Sequence, residues 1–451
     1  MNGNEANSTI SRRHAMKVAG GLGAVAAFHQ AGAIAKQSGA FGDLALSLQE
    51  GNPEGSIRFP VWIGQADIAA WEQVVELFAD ATPDVDVQFE PYQFEQYWQK
   101  FNTQLAGGDV PAVAGMHAGL VYNYADNGQL VNLQELAERD GFQLDQIFDN
   151  LVEEGRWPKT GDAGLYMLPW RFVGSAFYVN KTLLEERGLP VPEAGWTWDD
   201  WLEIAQGARD ENAGIWGTTL PGAQLQQAQF MQAGAFGPLD ETLSESNFLD
   251  PGIQEAVQFI ADLALKHNVA PKPEDIPVAA GGATQDMFLS GSVALHPSAT
   301  WNIPTYRDLE FEWDVVPQPE HTAKGAYAGP DGIAIPVDSQ NVEAAWAWIK
   351  FVTTDLGAQK VLGATGIPVL TEYALSDEYL TPEVEMGPAS YRMLVEELTT
   401  QGRGYGFNAS WFEWTRESND IFERIYNGNV GVEDGLNQIH EKVTEILTRE
   451  Q

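Results

Sequence analysis

Cysteine is absent from this chain of 451 residues. Disulfide bonds, zinc sites with thiolate ligands and thiolate nucleophiles are therefore excluded. A lipid anchor on a cysteine that follows an export leader is excluded for the same reason. If the protein is held near a membrane, an uncleaved leader, the cell wall or confinement must hold it there.

Basic residues are scarce, with 25 Lys+Arg against 64 Asp+Glu and a formal net charge of -39. The excess of acid is spread along the chain, so nucleic acids and anionic membrane surfaces are disfavoured as partners. Because molar salt shortens the Debye length to roughly 3 Å and screens this self-repulsion, we hypothesise a halophilic protein that works in concentrated brine. The simpler alternative is an ordinary acidic exported protein.

Motifs of common hydrolases and nucleotide-binding enzymes are missing, since no G-x-S-x-G, H-E-x-x-H or G-x-x-x-x-G-K-[ST] segment occurs. The histidines after residue 35, at positions 117, 267, 296, 321 and 440, are too scattered to predict a zinc site. Acidic residues are so numerous that some pair will lie at glycosidase separation by chance. The sequence favours a protein without catalytic residues, metal or cofactor, and a secreted carbohydrate-active enzyme is the weaker alternative.

The chain has one long apolar run, from Val18 to Ala35. Twin arginines precede it in the segment Ser11 to Lys17, and it ends in Ala33-Ile34-Ala35, a small-residue cleavage pattern. This pattern is typical of a Tat-type signal peptide over residues 1-35 and implies an extracellular or periplasmic protein. A chance arginine pair before a buried helix is the alternative, and a membrane-spanning helix is disfavoured because the run is short and glycine-rich.

Residues 36-55 are rich in Gly, Ser, Gln and acids and predict a flexible tether, with order beginning at Ser56. Strands and helices then alternate in β-α-β-α-β order, which predicts a parallel sheet. The strand and helix candidates are Ile57 to Ile63, Asp67 to Ala79, Val85 to Phe89, Tyr97 to Ala106 and Val110 to Met116.

The stretch from Leu168 to Trp201 combines a strand, a helix and a turn in quick succession. Val173 to Val179 is a short apolar and aromatic run that predicts a buried strand, and Asn180 is placed to cap the next helix. Thr197 precedes two aspartates, which favours a helix N-terminus. Such an order is typical of an α/β lobe.

This stretch resembles the block in which extracellular solute-binding proteins of ABC transporters cross between lobes. The resemblance is to the carbohydrate-binding group, the maltose-binding protein family, in which a segment like Pro169-Trp170 enters the second lobe. A turn, Gly188 to Pro190, and a helix start, Trp196 to Trp198, follow as they do in that family. Further segments match in order and spacing between Phe59 and Gly128 and between Met287 and Leu436.

The resemblance implies an α/β, two-lobed periplasmic-binding-protein-like fold with an interlobe ligand cleft and two to three hinge crossings. Lobe one would comprise residues 56-168 plus about 320-370, and lobe two about 169-319 plus 371-451. The implied function is binding of a sugar or oligosaccharide by hinge closure and its delivery to the permease subunits of an ABC importer. The protein is expected to act as a monomer.

Aromatic residues supply the argument for a carbohydrate ligand, since a pyranose presents flat C–H faces ringed by hydroxyl groups. The chain has 15 Trp, several of them at predicted strand ends and loops. Ligands of open α/β sheets lie outside the carboxyl ends of the strands. The expected binding residues are Trp62, Gln65, His117, Trp170, Arg171, Trp301, Tyr327, Asp331, Phe407 and Trp411.

The family places stacking residues at Trp301 and in the loop from Tyr405 to Trp414, and Asp331 is expected in a Gly-Pro-Asp-Gly loop. A tryptophan can equally belong to the core, and His117 can be a structural histidine. Core packing is the role predicted for the tryptophans on helical apolar faces, Trp71, Trp201, Trp346 and Trp348.

The chain has Ala118-Gly119-Leu120 where maltose-binding protein shows an acid-arginine pair, so the resemblance does not extend to maltose itself. A polyol or glycerol phosphate remains as an alternative solute. A phosphate ligand would require a cluster of cations in the cleft, and Lys and Arg are few.

Overall fold

The computed structural model describes residues 53-159, 161-222, 224-276, 284-381, 389-404 and 406-450. The predicted signal peptide, the predicted tether up to residue 52 and Tyr405 lie outside the described residues. Gly55 begins the first strand, one residue before the predicted start of order at Ser56.

Eleven strands are assigned within these ranges. They are β1 (Gly55–Trp62), β2 (Val85–Tyr92), β3 (Ala114–His117), β4 (Arg156–Trp157), β5 (Gly164–Leu165), β6 (Leu168–Asn180), β7 (Trp216–Thr218), β8 (Val293–Ala299), β9 (Trp313–Val316), β10 (Ala326–Ala334) and β11 (Gly402–Arg403).

Helices fill most of the connections between strands. They are α1 (Ile68–Ala81), α2 (Phe94–Gly107), α3 (Ala118–Asp126), α4 (Leu133–Asp140), α5 (Asp149–Glu154), α6 (Lys181–Glu186), α7 (Trp198–Ala208), α8 (Gln227–Gln232), α9 (Pro251–Leu265), α10 (Thr284–Leu289), α11 (Ile303–Tyr306), α12 (Val342–Thr354), α13 (Leu356–Leu362), α14 (Thr371–Ala374), α15 (Asp377–Leu380), α16 (Tyr391–Gln401), α17 (Trp411–Tyr426) and α18 (Val432–Glu450). Short 3-10 helices occur at Gln65–Asp67, Leu144–Gln146, Pro273–Asp275 and Thr300–Asn302.

The first part of the chain forms the predicted β-α-β-α-β unit. β1 and β2 pair in parallel over their whole length, from Gly55 opposite Val85 to Trp62 opposite Tyr92. The predicted parallel pairing is therefore confirmed for these two strands. β3 packs beside β1 and pairs with β10 in antiparallel orientation.

β6 is longer than predicted and connects the two parts of the molecule. The strand begins at Leu168 rather than Val173, and all 13 of its residues are buried. Its first half pairs with β10, and its second half pairs with β8 on one side and β9 on the other. Partners along the whole strand keep Pro169 and Trp170 in extended conformation, although proline is uncommon inside a sheet.

The Gly-Pro-Asp-Gly segment is a strand and not a loop, so the prediction for the surroundings of Asp331 was wrong. Residues Ala326 to Ala334 form β10 and pair with β6 on one side. On the other side, β11 pairs with residues 326-327 and β3 with residues 331-334. Pro330 lies in the gap between β11 and β3, where its missing N–H interrupts no ladder.

The predicted helix caps are confirmed. Asn180 Oδ1 accepts the backbone N–H of Leu183 at 2.9 Å. Thr197 and Asp200 form a capping box, in which each side chain accepts the backbone N–H of the other residue. These caps fix the start of α6 and of α7. Both helices follow β6 and cover one face of the sheet.

Buried apolar side chains form two clusters, and each cluster contains residues from both predicted lobes. Along β6 the side chains alternate between them, with Phe177 and Val179 in one cluster and Ala176 and Tyr178 in the other. Because successive strand residues face opposite sides of a sheet, the clusters lie on its two faces. The tryptophans predicted to be core residues, Trp71, Trp201, Trp346 and Trp348, are fully buried.

Candidate functional site

Three predicted site residues lie side by side across three strands. His117 of β3 is opposite Asp331 of β10, and Asp331 is in turn opposite Arg171 of β6. β6 continues from here into the part of the sheet that contains β8 and β9. These residues therefore lie where the two predicted lobes join.

An aromatic cluster lies beside these strands and comprises Trp62, Phe94, His117, Phe407 and Trp411. The rings of His117 and Trp411 stack with centroids 5.2 Å apart and an interplanar angle of 18°. Phe407 packs edge-on against His117 at 5.7 Å and against Trp411 at 5.0 Å. Trp62 is 6.0 Å from His117. The cluster thus combines side chains from both predicted lobes and includes four of the predicted site residues.

His117 is fixed in the cluster because it caps α3. Its Nδ1 accepts the backbone N–H of Gly119 at 2.9 Å. Burial lowers the pKa of the imidazole, and the nearby Asp331 carboxylate acts in the opposite direction. The ring is therefore held neutral, with one nitrogen committed to the helix and one flat face against Trp411.

Gly119 allows Trp411 to approach α3. A Cβ atom at position 119 would lie 2.5 Å from Cε3 of Trp411, closer than any ordinary contact. The side-chain amide of Asn123 donates a hydrogen bond to the carbonyl of Ala409 at 3.0 Å. The start of α17 is thereby held against the first turns of α3.

Arg171 forms a buried ion group with two carboxylates. Its Nη2 is 2.7 Å from Oδ2 of Asp331, and its Nη1 is 3.5 Å from Oδ2 of Asp67. Burial raises the pKa of Asp67, while the Arg171 charge acts in the opposite direction. Because Asp67 follows β1 and the other two residues lie on β6 and β10, the group ties the joining strands to the end of β1.

Trp301 and Gln65 are the exposed members of the predicted set. Trp301 lies in the short 3-10 helix after β8 and is 37% exposed, more than most large apolar side chains among the described residues. Gln65 begins the 3-10 helix after β1. That 3-10 helix contacts α11, which follows Trp301. The two residues therefore lie on neighbouring elements from the two predicted lobes.

Tyr327 lies in β10 and is almost fully buried. Its hydroxyl accepts a hydrogen bond from Nε2 of Gln224 at 2.7 Å, and its backbone N–H donates to Oγ of Ser175 at 3.1 Å. Gln224 is half-buried and was not predicted. It follows the Leu-Pro-Gly turn after β7, and a polar side chain beyond a strand's carboxyl end is the signal that could have identified it.

Trp170 is a core residue in this conformation. It has no exposed surface, and its ring packs edge-on against Trp71 with centroids 4.9 Å apart. The strand that begins at Leu168 carries Trp170 into the interior, so the ring has no free face for a ligand. The geometry therefore gives no support to the expected contact between Trp170 and a ligand.

An open cavity of about 350 Å³ adjoins the aromatic cluster at Phe407. Ala328 and Gly329 of β10 form part of its lining, together with Glu153 and Glu154 of α5. The rest of the lining includes Phe236, Gly237, Leu239, Glu241, Leu243, Gly402, Arg403, Gly404 and Gly406. Phe407 is the one predicted site residue in its lining, so the predicted set as a whole does not line this cavity.

Two features that would suggest other functions are absent from the part of the chain that the structure describes. In those ranges, no group of three or more His, Cys, Asp or Glu side chains is arranged to hold a metal ion. No helix among the described residues is long and apolar enough to cross a membrane.

Solved structures of other proteins share this architecture. An ABC substrate-binding protein from Listeria monocytogenes in complex with cycloalternan superimposes with a TM-score of 0.79 at 24% identity, over 88% of this chain and 99% of that chain. Maltose-bound MalE3 of T. maritima gives a TM-score of 0.72 at 21% identity, over 87% of this chain and 99% of that chain. The mixed α/β, two-lobed fold is therefore confirmed.

Sequence comparison agrees with the fold. The maltotriose-binding protein of Pyrococcus abyssi (strain GE5 / Orsay) is 24% identical over 351 residues, which are 75% of this chain and 71% of that protein. Residues 73–389 match the family model described as bacterial extracellular solute-binding protein. The match covers well over half of the chain. The chain belongs to the bacterial extracellular solute-binding protein family.

Proposed function

We propose that this protein is the solute-binding component of an ABC importer and that it binds an oligosaccharide between two lobes. Lobe one comprises residues 56-168 plus about 320-370, and lobe two comprises about 169-319 plus 371-451. β6 begins at the boundary between the lobes and pairs with β10 of lobe one, and these two strands serve as hinge strands. The ligand stabilises the closed form because it contacts both lobes.

The observation that carries this proposal is the aromatic cluster. Trp62 and His117 come from lobe one, and Phe407 and Trp411 come from lobe two. When the lobes separate, the ring faces that now stack on each other become available to a ligand. Aromatic faces bind the C–H faces of pyranose rings, so opposed plates of this kind suit a neutral sugar.

A polar pair of side chains from the two proposed lobes suits the hydroxyl groups of a sugar. Gln224 and Tyr327 are hydrogen-bonded to each other at 2.7 Å and can exchange that bond for bonds to hydroxyls. Trp301, which is partly exposed at the end of β8, adds a further plate on the lobe-two side. We therefore retain Trp62, His117, Trp301, Tyr327, Phe407 and Trp411 as proposed ligand contacts and add Gln224.

The names of the relatives support a sugar as the ligand class. The Pyrococcus abyssi relative is named for maltotriose, and the two structural neighbours carry cycloalternan and maltose. This chain has Ala118-Gly119-Leu120 after β3, so we propose an oligosaccharide whose contacts there are made by rings and not by charged groups.

Export and transport complete the proposal. The twin-arginine segment before Val18 would direct the folded protein through the Tat pathway, and permease subunits would accept the closed form. We propose that the protein hydrolyses nothing, and the ion pairs of Asp67 and Asp331 with Arg171 support a structural role for these two carboxylates.

Titration calorimetry with a panel of sugars tests the proposal. The panel comprises maltotriose, maltose, a mannotriose, glycerol and glycerol 3-phosphate, and the buffer contains molar NaCl. We expect saturable binding of at least one oligosaccharide, with no release of reducing sugar on prolonged incubation. Binding of glycerol 3-phosphate with no response to any sugar would contradict the proposed ligand class, and reducing-sugar release would contradict the absence of catalysis.

A further inference from the structure

A second cavity lies outside the candidate site, between α16 and the segment that joins β9 to β10. Its volume is about 360 Å³. We refer to it as the acidic cavity, because its lining includes three glutamates and one lysine. The lining residues that matter here are Pro317, Glu320, Lys324, Met393, Glu396 and Glu397.

Glu397 is the buried group of the acidic cavity. Its side chain is 7% exposed, and Oε1 accepts the backbone N–H of Gln318 at 2.8 Å. Oε2 is buried and has no hydrogen-bond partner within the described residues. A buried carboxylate oxygen without a donor costs free energy, and a positively charged donor removes that cost most effectively.

Lys324 already has a partner. Its Nζ is 2.8 Å from Oε1 of Glu320, and both side chains are partly exposed. Counting Glu320, Glu396 and Glu397 as -3 and Lys324 as +1 leaves a formal charge of -2 in the lining. The acidic cavity therefore attracts cations, and the oxygen of Glu397 is its unmatched acceptor.

The volume of the acidic cavity and its apolar lining suit an organic cation better than a bare metal ion. A water molecule accounts for roughly 30 Å³ of liquid volume, so the cavity accommodates several heavy atoms. Met393 and Pro317 supply apolar surface for a short carbon chain beside the carboxylates.

We propose that the acidic cavity binds a small alkylammonium ion, a protonated primary amine, whose N–H group donates to Oε2 of Glu397. The carbon chain contacts Met393 and Pro317, and a second ammonium group of a diamine would meet Glu396. α16, which carries Glu397, packs against β6, β9, β10 and β11. An ion bound there consequently contacts the helix that covers the hinge strands, and this site is independent of the proposed sugar site.

Titration calorimetry of the full chain with 1,4-diaminobutane at about pH 8 tests the proposal, because burial raises the pKa of Glu397 to about 7 and the carboxylate is then charged. NaCl keeps the ionic strength constant throughout. We expect saturable one-site binding by the wild-type protein and affinity lower by about tenfold or more in Glu397→Gln, which removes the charged acceptor. Glu433→Gln is the matched control, since Glu433 is exposed on α18, and its affinity should equal that of the wild type.

Absence of saturable binding by the wild type overturns the proposal, and so does unchanged affinity in Glu397→Gln. Ala194→Phe provides a second test if Glu397→Gln does not fold. Ala194 is exposed in the lining, so a phenyl ring there reduces the space without touching the carboxylate. Weakened diamine binding in this variant supports the site, and unchanged binding overturns it. Sugar binding measured on the same variants should remain at the wild-type level, which separates this proposal from the proposed function.

Discussion

His117 and Trp411 stack face to face, with ring centroids 5.2 Å apart, although 294 residues (411 - 117) separate them in the chain. His117 ends β3 and Trp411 begins α17. In the proposed mechanism the pair belongs to the closed arrangement of the two lobes, so a substitution that separates the rings should act on closure.

Gly119→Ala should weaken ligand binding without unfolding the protein. The added Cβ would lie 2.5 Å from the ring of Trp411 and would oppose closure. Overpacking of this kind costs about 1–3 kcal/mol, so calorimetry should show affinity lower by roughly five- to a hundredfold. Gly107→Ala is the control, because a Cβ there has nothing within 4 Å. Equal affinities for the two variants would mean that the Trp411 contact does not limit closure.

Trp301→Ala should lower the affinity for the sugar by roughly 1–3 kcal/mol, the scale of an aromatic anchor. The physical reason is the loss of a partly exposed plate at the end of β8. Phe412→Ala removes another exposed aromatic ring, 52% exposed, and serves as the comparison. Calorimetry that shows the same affinity for Trp301→Ala and for the wild type would remove Trp301 from the site.

Arg171→Ala should destabilise the protein by about 3–5 kcal/mol, because it leaves Asp67 and Asp331 buried without their cation. Arg392→Ala breaks the pair with Asp377, in which the carboxylate side chain is 92% exposed, and should cost less than about 1 kcal/mol. Denaturant unfolding of both variants measures the difference. Similar losses in the two variants would contradict a special role for the buried ion group.

Glu397→Gln should change stability in a pH-dependent way. Burial raises the pKa of Glu397 to about 7 from the ordinary 4.5. A carboxyl group whose pKa is raised by folding stabilises the fold fully when the pH is below its pKa in the unfolded chain. This contribution is lost as the pH rises through its pKa in the folded protein. The variant should therefore gain stability relative to the wild type between about pH 4.5 and about pH 7, by up to about 3 kcal/mol. Melting temperatures are measured for both proteins at several pH values in this range. If they change equally with pH in the two proteins, the raised pKa of Glu397 is refuted.

Salt should raise the melting temperature. With 64 Asp+Glu and 25 Lys+Arg, the chain repels itself, and screening is nearly complete when the Debye length falls to roughly 3 Å at about 1 M. We expect the steepest rise in melting temperature below about 1 M NaCl and a continued gain towards about 3 M. A melting temperature that is constant or falls over this range would contradict adaptation to brine.

Local signals were sufficient to predict much of the fold. The caps at Asn180 and Thr197 depend on side chains next to the helix that they cap, and both are confirmed. A loop was expected at Asp331 because Gly and Pro on either side indicate a turn. Pairing with β6 and β3, which lie more than a hundred residues away, overrides that local preference.

Site residues were harder to predict, because contacts between distant segments decide which rings are exposed. Trp170 has neighbours in sequence that are typical of a cleft, yet its partner Trp71 comes from α1 and buries it. Gln224 carries no motif, and its place becomes evident only from the hydrogen bond to Tyr327. Glu397 likewise looks like one more acid of an acidic chain until its burial is known.

The gap between β11 and β3 determines where the sheet is easiest to bend. Residues 328-330 of β10 pair with β6 alone, whereas residues 331-333 after them pair with β6 on one side and with β3 on the other. Flexural stiffness depends on the number of strands that must deform together, so curvature during opening should concentrate in these three residues. Pro330, with its restricted φ angle, would confine that curvature to ψ rotations and to the two residues before it.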